Sequence, residues 1–163
     1  MGKTKRFHSE IVKRSVVIYS TKEKVWRTIS NITNLPQWAT GIKKTVLKSK
    51  IKKGVGAIRD VTLDDGTVLE EHIVDWREGQ SFSYVAVTGM PVRTYIAMLS
   101  IRRRDRNSVT LTWSCYINSK KITKDEFIRL KCDLDSLYLS SLKYLKSKLE
   151  NRDSKCVLHF VVK

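Results

Sequence analysis

The sequence predicts an α+β fold, in which a curved antiparallel sheet of about seven strands wraps around one long C-terminal helix. Three observations predict this fold: one short strand and helix at the start of the chain, period-two alternation over residues 41–118, and an uninterrupted helical segment after residue 123. The alternating segments are apolar on one side only, and a sheet of that kind must cover its apolar side. The long helix is the expected cover.

Length and composition indicate one domain. The chain has 163 residues, of which 41% are hydrophobic and 29% charged, with 7 Gly and 2 Pro. This is globular composition, at a length close to the usual domain size of about 100 to 200 residues. We expect the domain over residues 1–150, followed by a short tail over residues 151–163 that is either mobile or an added edge strand.

The first elements are a strand and a helix. Residues 11–19 mix apolar and polar side chains around a β-branched run, which is typical of a strand. Ser20 and Glu23 then have the spacing of a capping box, which predicts a helix start with Ser20 as the cap. Pro36 closes the segment. The predicted apolar stripe of this helix contains Val25, Trp26, Ile29 and Ile32.

The period-two region predicts a meander of about six strands. Turn chemistry interrupts it at residues 53–54, 64–67, 78–79, 89–91 and 105–108. Successive side chains of a strand point to opposite faces, so the apolar sets share one face of the sheet. These sets are Phe82 and Tyr84; Tyr95, Ala97, Leu99 and Ile101; and Val109, Leu111, Trp113 and Cys115.

A second capping box, Thr123 with Glu126, opens the long helix. The helical pattern continues to about Glu150, which gives a length of roughly 40 Å. Its apolar stripe consists of Phe127, Leu130, Leu134, Leu137, Leu142, Leu145 and Leu149.

Four segments resemble the START-like, or SRPBCC, superfamily, specifically its polyketide cyclase/dehydrase and lipid-transport branch. Residues 15–26 resemble the first strand and helix start of the family, and residues 34–38 contain its Pro-x-Trp. Residues 71–84 and 108–113 are the third and fourth segments that resemble the family. The resemblance extends over residues 9–150. It implies a helix-grip fold, and it says more about the fold than about the activity.

In that family, the space between helix and sheet holds an apolar ligand such as a sterol, lipid, quinone or polyketide. The resemblance therefore implies a ligand pocket with its mouth near Trp38 and the loop at residues 89–91. The alternative is that these apolar side chains fill the core, since close packing is the default in protein interiors. The implied lining is Phe82, Tyr84, Tyr95, Ala97, Leu99, Leu111, Trp113 and Cys115 from strands, and Phe127, Leu130, Leu134 and Leu137 from the helix.

Glu71 is the one weak candidate for an acid/base group. It lies on a strand and shares a face with Ile73, which predicts that it points inward and that His72 points to solvent. It also matches an acidic position common in the branch that the chain resembles. Arg59 shares the pocket face with Val61 and could pair with Glu71. This pair either binds a polar ligand head or satisfies itself, and self-pairing is favoured because buried charges require compensation in any case.

Three hypotheses for the function follow. The first is a carrier of a small hydrophobic ligand, without catalysis. The second is a cyclase, dehydratase or isomerase that uses Glu71 as acid/base with Tyr84 or Tyr95 as hydrogen-bond partner.

No nucleophile elbow, phosphate loop or zinc spacing occurs, so we expect no metal and no cofactor.

The third hypothesis, a basic adaptor, comes from the charge. The chain has 32 Lys+Arg against 16 Asp+Glu, a net charge of +16, which makes nucleic acid or an anionic membrane a candidate partner. The basic clusters lack interleaved aromatic residues, which favours a solvated surface instead.

Neither a signal peptide nor a membrane span is expected, and we expect a cytoplasmic location. Cys115, Cys132 and Cys156 are too widely spaced for a metal site and are expected to be reduced thiols. The apolar tail from residue 156 could pair with a partner strand, so the oligomeric state stays open.

Overall fold

The structure, a computed structural model, describes residues 8–119 and 122–158. A seven-stranded antiparallel sheet in the order β1-β7-β6-β5-β4-β3-β2 curves around the last helix, which confirms the predicted helix-grip arrangement. The elements are β1 (His8–Ile18), α1 (Lys22–Ile29), a 3-10 helix (Leu35–Gln37), β2 (Ile42–Leu47), β3 (Ile58–Leu63), β4 (Val68–Arg77), β5 (Ser81–Thr88), β6 (Thr94–Asp105), β7 (Ser108–Ser119) and α2 (Lys124–Leu158).

The strands end at the predicted turns. The β5–β6 turn requires a glycine: Gly89 has a φ of +94°, and a Cβ atom there would lie 2.2 Å from the carbonyl oxygen of Val68. Only glycine adopts this backbone conformation without strain and allows β4 to approach so closely. The glycine therefore fixes the loop that connects these strands against β4.

The two helix starts were predicted with different success. Thr123 and Glu126 form the expected capping box: the Thr123 N–H donates to Glu126 Oε2 at 2.7 Å, and the Glu126 N–H donates to Thr123 Oγ1 at 3.2 Å. The cap of α1 is Thr21, whose hydroxyl accepts from the Lys24 N–H at 3.3 Å, so the prediction of Ser20 was wrong by one residue. Ser and Thr are both good caps, and spacing alone does not separate adjacent ones.

The end of α2 was also predicted wrongly. The helix continues to Leu158, so residues 151–158 are helical and do not form an edge strand. No glycine or proline follows Glu150 in this segment to stop the helix. The rest of the predicted tail, residues 159–163, lies outside the described residues.

The core lies between the concave face of the sheet and α2. Tyr138, Leu142, Leu145 and Leu149 of α2 are buried in it. A bidentate ion pair between Arg14 of β1 and Asp135 joins helix and sheet, with Nε 2.7 Å from Oδ1 and Nη2 2.5 Å from Oδ2. No helix within residues 8–119 and 122–158 is long and apolar enough to cross a membrane.

Candidate functional site: a cavity between the sheet and the first half of α2

A cavity of about 500 Å³ lies between the first half of α2 and strands β2 to β7. Its volume is within the range of about 300 to 1,000 Å³ that is usual for small-molecule sites. Its wall is mostly apolar. The lining residues are Leu35, Ile42, Val61, Leu63, Asp65, Thr67, Leu69, Glu71, Tyr84, Gly89, Met90, Pro91, Tyr95, Trp113, Leu130, Asp133, Leu134 and Leu137.

About half of the predicted lining lies on this cavity. Seven predicted residues are part of its wall: Glu71, Tyr84, Tyr95, Trp113, Leu130, Leu134 and Leu137. The loop predicted at the mouth, Gly89 to Pro91, is also there. The other predicted residues do not line the cavity: Trp38, Arg59, Phe82, Ala97, Leu99, Leu111, Cys115 and Phe127.

Trp38 is separated from the cavity by an aromatic stack. Its ring centroid lies 5.5 Å from that of Trp113, which in turn stacks on Tyr138 at 4.3 Å with the ring planes 12° apart. Trp113 and not Trp38 therefore faces the cavity. The prediction of Trp38 at the mouth was wrong because Pro-x-Trp fixes its place in the fold but not which ring lies in front.

The remaining strand residues belong to the packed core. Phe82 packs against Trp76 and Trp26 at centroid distances of 5.3 and 6.2 Å. Ala97, Leu99, Leu111 and Cys115 are buried in the same hydrophobic cluster. Alternation identifies the inner face of a strand but not the position along it at which helix and sheet separate, which is why these residues were assigned to the pocket.

The helix residue Phe127 also lies off the cavity. Its ring stacks on His8 of β1 at a centroid distance of 5.5 Å. It therefore covers the start of β1 and does not contribute to the cavity wall.

Several lining residues were missed. Val61, Leu63 and Leu69 share the inner face with Arg59 and Glu71, so alternation along β3 and β4 was a sufficient signal for them. Asp65, Thr67 and Asp133 had no such signal, because they belong to a turn and to a helix position outside the leucine stripe.

Glu71 and Arg59 form a buried ion pair. They are opposite each other on β4 and β3, and each is at most 3% exposed. Arg59 Nε donates to Glu71 Oε2 at 2.8 Å, and Arg59 Nη1 donates to the Ile32 carbonyl oxygen at 2.7 Å. Arg59 Nη2 lies 2.7 Å from the same Glu71 oxygen, but without the alignment of a hydrogen bond.

This pair confirms the predicted inward orientation of Glu71. His72 points to the other face, where its Nε2 lies 2.7 Å from Glu70 Oε1 and about a third of its side chain is exposed. Burial raises the pKa of Glu71, and the Arg59 guanidinium opposes this rise. Arg59 itself lies behind the cavity wall, with its guanidinium 4.9 Å from the ring centroid of Tyr84.

Three buried phenols continue the polar part of the site. The Trp113 indole N–H donates to the Tyr84 hydroxyl at 3.0 Å, and the Tyr95 and Tyr138 hydroxyls share a hydrogen bond. Burial raises the pKa of all three tyrosines. They are therefore neutral at physiological pH and act as hydrogen-bond groups, not as bases.

The geometry defines a helix-grip protein with a mostly apolar cavity whose wall carries one buried carboxylate, Glu71, and two buried phenols, Tyr84 and Tyr95. Among the described residues, no group of three or more His, Cys, Asp or Glu side chains could hold a metal ion. The chain belongs to the family described as polyketide cyclase / dehydrase and lipid transport, whose sequence model matches residues 9–150. It is thus a member of the START-like superfamily that the sequence resembles.

Solved structures with low sequence identity share this fold. The protein XoxI from Bacillus cereus is 20% identical with a TM-score of 0.75, over 88% of this chain and 97% of its own. The Zhui aromatase/cyclase from a Streptomyces species is 12% identical with a TM-score of 0.73, over 89% and 96%. A START superfamily protein from Mycobacterium smegmatis is 15% identical with a TM-score of 0.70, over 86% and 97%. A search of curated protein sequences finds no match.

Proposed function

We propose that this protein binds and carries a small, largely apolar molecule in the cavity between its sheet and α2. The observation that carries the proposal is the cavity of about 500 Å³ with a mainly apolar wall. Protein interiors are normally close-packed, so a space of this size in an otherwise buried core is unusual. The family description, which includes lipid transport, supports the same function.

The polar groups on the wall support an amphipathic ligand. Glu71, Tyr84 and Tyr95 are nearly completely buried, yet each lines the cavity. Ligand sites typically combine an apolar wall with a few polar groups that orient the bound molecule. We expect the apolar body of the ligand to contact the leucines of α2 and its polar end to contact Glu71 or Tyr84.

A cavity-filling variant tests this function. Leu134→Trp adds a large ring on the cavity wall and should lower the affinity for Nile red, a neutral apolar dye, by about tenfold or more. Ile128→Trp is the matched control, since Ile128 lies on the same helix and is 46% exposed. Equal dye binding by the two variants, with both folded by circular dichroism, would contradict the proposal. Native mass spectrometry of protein purified without delipidation should also show a co-purified small molecule.

Catalysis on a polyketide-like substrate is the second candidate. It is favoured by a carboxyl group with a raised pKa on the wall of the cavity, next to two phenols. It ranks second because Arg59 already engages Glu71. Polyketide-like candidate substrates incubated with the protein should give products that differ in mass or in chromatographic retention if the protein is an enzyme, and Glu71→Gln should abolish that conversion. No change in mass or in retention would leave binding as the function.

A further inference from the structure

The charged residues on the cavity wall are all acidic. Asp65, Glu71 and Asp133 line the cavity, whereas no Lys or Arg within the described ranges does so. This contrasts with the whole chain, in which basic residues outnumber acidic ones by 32 to 16. Glu71 is buried and paired with Arg59, whereas Asp65 and Asp133 are exposed, so acidic groups extend from the wall of the cavity to its edge.

Glu71 has one oxygen available to a ligand. Its Oε2 accepts from Arg59, while no hydrogen bond to its Oε1 is found among the described residues. The residue is 3% exposed and lies on the cavity wall. Oε1 is not among the buried side-chain atoms that lack a partner, so it is reached from the cavity, where a ligand can donate a charge-assisted hydrogen bond to it.

The charge of the pair selects the kind of donor. Arg59 already balances the charge of Glu71. An ammonium group bound beside this pair would therefore add an uncompensated positive charge. A carboxylate group bound there would add a negative charge next to Glu71. Both carry a large desolvation cost without a partner. A hydroxyl group donates a hydrogen bond to Glu71 Oε1 and adds no charge.

We propose that the cavity selects neutral apolar molecules that end in a hydroxyl group, and that it rejects the corresponding carboxylates. Glu71 is the specificity-determining residue, and Asp65 and Asp133, which are exposed at the edge of the cavity, add to the rejection of anions. This inference rests on the proposed function, since it assigns the ligand class of the same cavity.

If the positive surface charge governed binding, the protein would prefer the carboxylate to the alcohol. The test therefore distinguishes selection by the surface from selection by the cavity wall. A net charge of +16 attracts anions from a distance. At 0.15 M salt, this attraction is screened beyond about 8 Å, while interactions inside the cavity are screened much less. Binding governed by the surface therefore favours a carboxylate at low salt, and binding governed by the cavity favours the alcohol at any salt concentration.

The probes are 1-pyrenemethanol, 1-pyrenecarboxylate and 1-pyrenemethylamine, which share one apolar body. Binding is followed by quenching of tryptophan emission, because Trp113 lines the cavity. At pH 7.5 and 0.15 M salt, the alcohol should bind at least about tenfold more tightly than either charged probe. Tighter or equal binding of the carboxylate or the amine overturns the inference. If none of the three binds and Nile red does not bind either, the proposed function itself fails.

Variants test whether the preference for the alcohol over the carboxylate depends on the acidic residues of the cavity wall. Glu71→Gln leaves Arg59 without its counter-charge, so the preference for the alcohol over the carboxylate should shrink or reverse. Asp65→Asn with Asp133→Asn tests the same idea without touching the buried pair. The amide oxygen introduced at position 65 can still accept from the Thr67 N–H, as the carboxylate of Asp65 does at 2.8 Å. This double variant should reduce the preference severalfold.

Asp125→Asn, on α2 but outside the cavity wall, is the control and should leave the preference unchanged. A preference that the double variant and Glu71→Gln both leave intact overturns the inference.

Discussion

The two halves of α2 carry the same leucine stripe but meet the sheet differently. In the second half, Leu142, Leu145 and Leu149 are between 0 and 4% exposed and pack into the core. In the first half, Leu130, Leu134 and Leu137 face the cavity. The comparison teaches that leucine spacing determines which face of a helix turns to the sheet, but not the distance between them.

The neighbours of the two halves also differ. The packed half of the core contains aromatic residues such as Phe82, which packs against Trp26 and Trp76. On the open half, β3 and β4 contribute the Arg59–Glu71 ion pair as well as aliphatic side chains. The open half therefore contains a buried charged pair beside apolar and aromatic residues such as Tyr84 and Trp113.

Breaking that pair should have the largest effect on stability. Arg59→Met leaves Glu71 buried without a counter-charge, and removal of one partner of a buried pair typically costs about 3 to 5 kcal/mol. Urea unfolding followed by tryptophan fluorescence would measure this loss. The double variant Arg59→Met with Glu71→Leu should recover most of it, because no lone charge remains. A double variant as unstable as the single one would contradict the explanation.

The loss in Arg59→Met should also depend on pH. Burial raises the pKa of Glu71, and without Arg59 nothing opposes that rise. A carboxyl group with a folded-state pKa above its unfolded value favours the folded state at low pH, and the folded state loses stability as the pH rises between the two values. The deficit relative to wild type should therefore be smallest near pH 4.5 and grow as the pH is raised.

A pair of leucine truncations compares the two halves directly. Leu142→Ala should lower the free energy of unfolding by about 3 kcal/mol, since it opens a cavity in a packed region. Leu137→Ala should cost less than about 1 kcal/mol, because its side chain already borders an empty space. Only Leu137→Ala should change the affinity for Nile red. Equal losses of stability would mean that the helix is equally packed along its length.

The smallest effect is expected at the packed end, where Glu78 accepts from three donors. These are Trp26 Nε1 at 2.9 Å, Trp76 Nε1 at 2.8 Å and Lys53 Nζ at 2.9 Å, and they lower the pKa of Glu78 to about 2. A lowered pKa gives stability above pH 4.5 that is lost as the pH falls toward 2. The stability difference between wild type and Glu78→Gln should therefore shrink over this range. The difference should be small because Glu78 is 62% exposed.

The sequence was a good guide to the fold and a partial guide to the site. Capping at Thr123, the turns and alternation are local properties, and they placed the strands, the start of α2 and the inward side of Glu71. The boundary of the cavity is not local. Leu111 and Trp113 are two residues apart on one face of β7, yet only Trp113 lines the cavity, while Leu111 is buried in the hydrophobic cluster.

Tyr138 marks the boundary between the packed half and the cavity half of α2. It is completely buried, stacks on Trp113 and hydrogen-bonds to Tyr95, at the point on α2 between the two halves. A contact of this kind holds the helix at a fixed height above the sheet. The leucines before Tyr138, Leu130, Leu134 and Leu137, border the cavity, and those after it, Leu142, Leu145 and Leu149, are packed in the core. Leucine replacements before Tyr138 should therefore change the size of the cavity while the packed part of the core is kept.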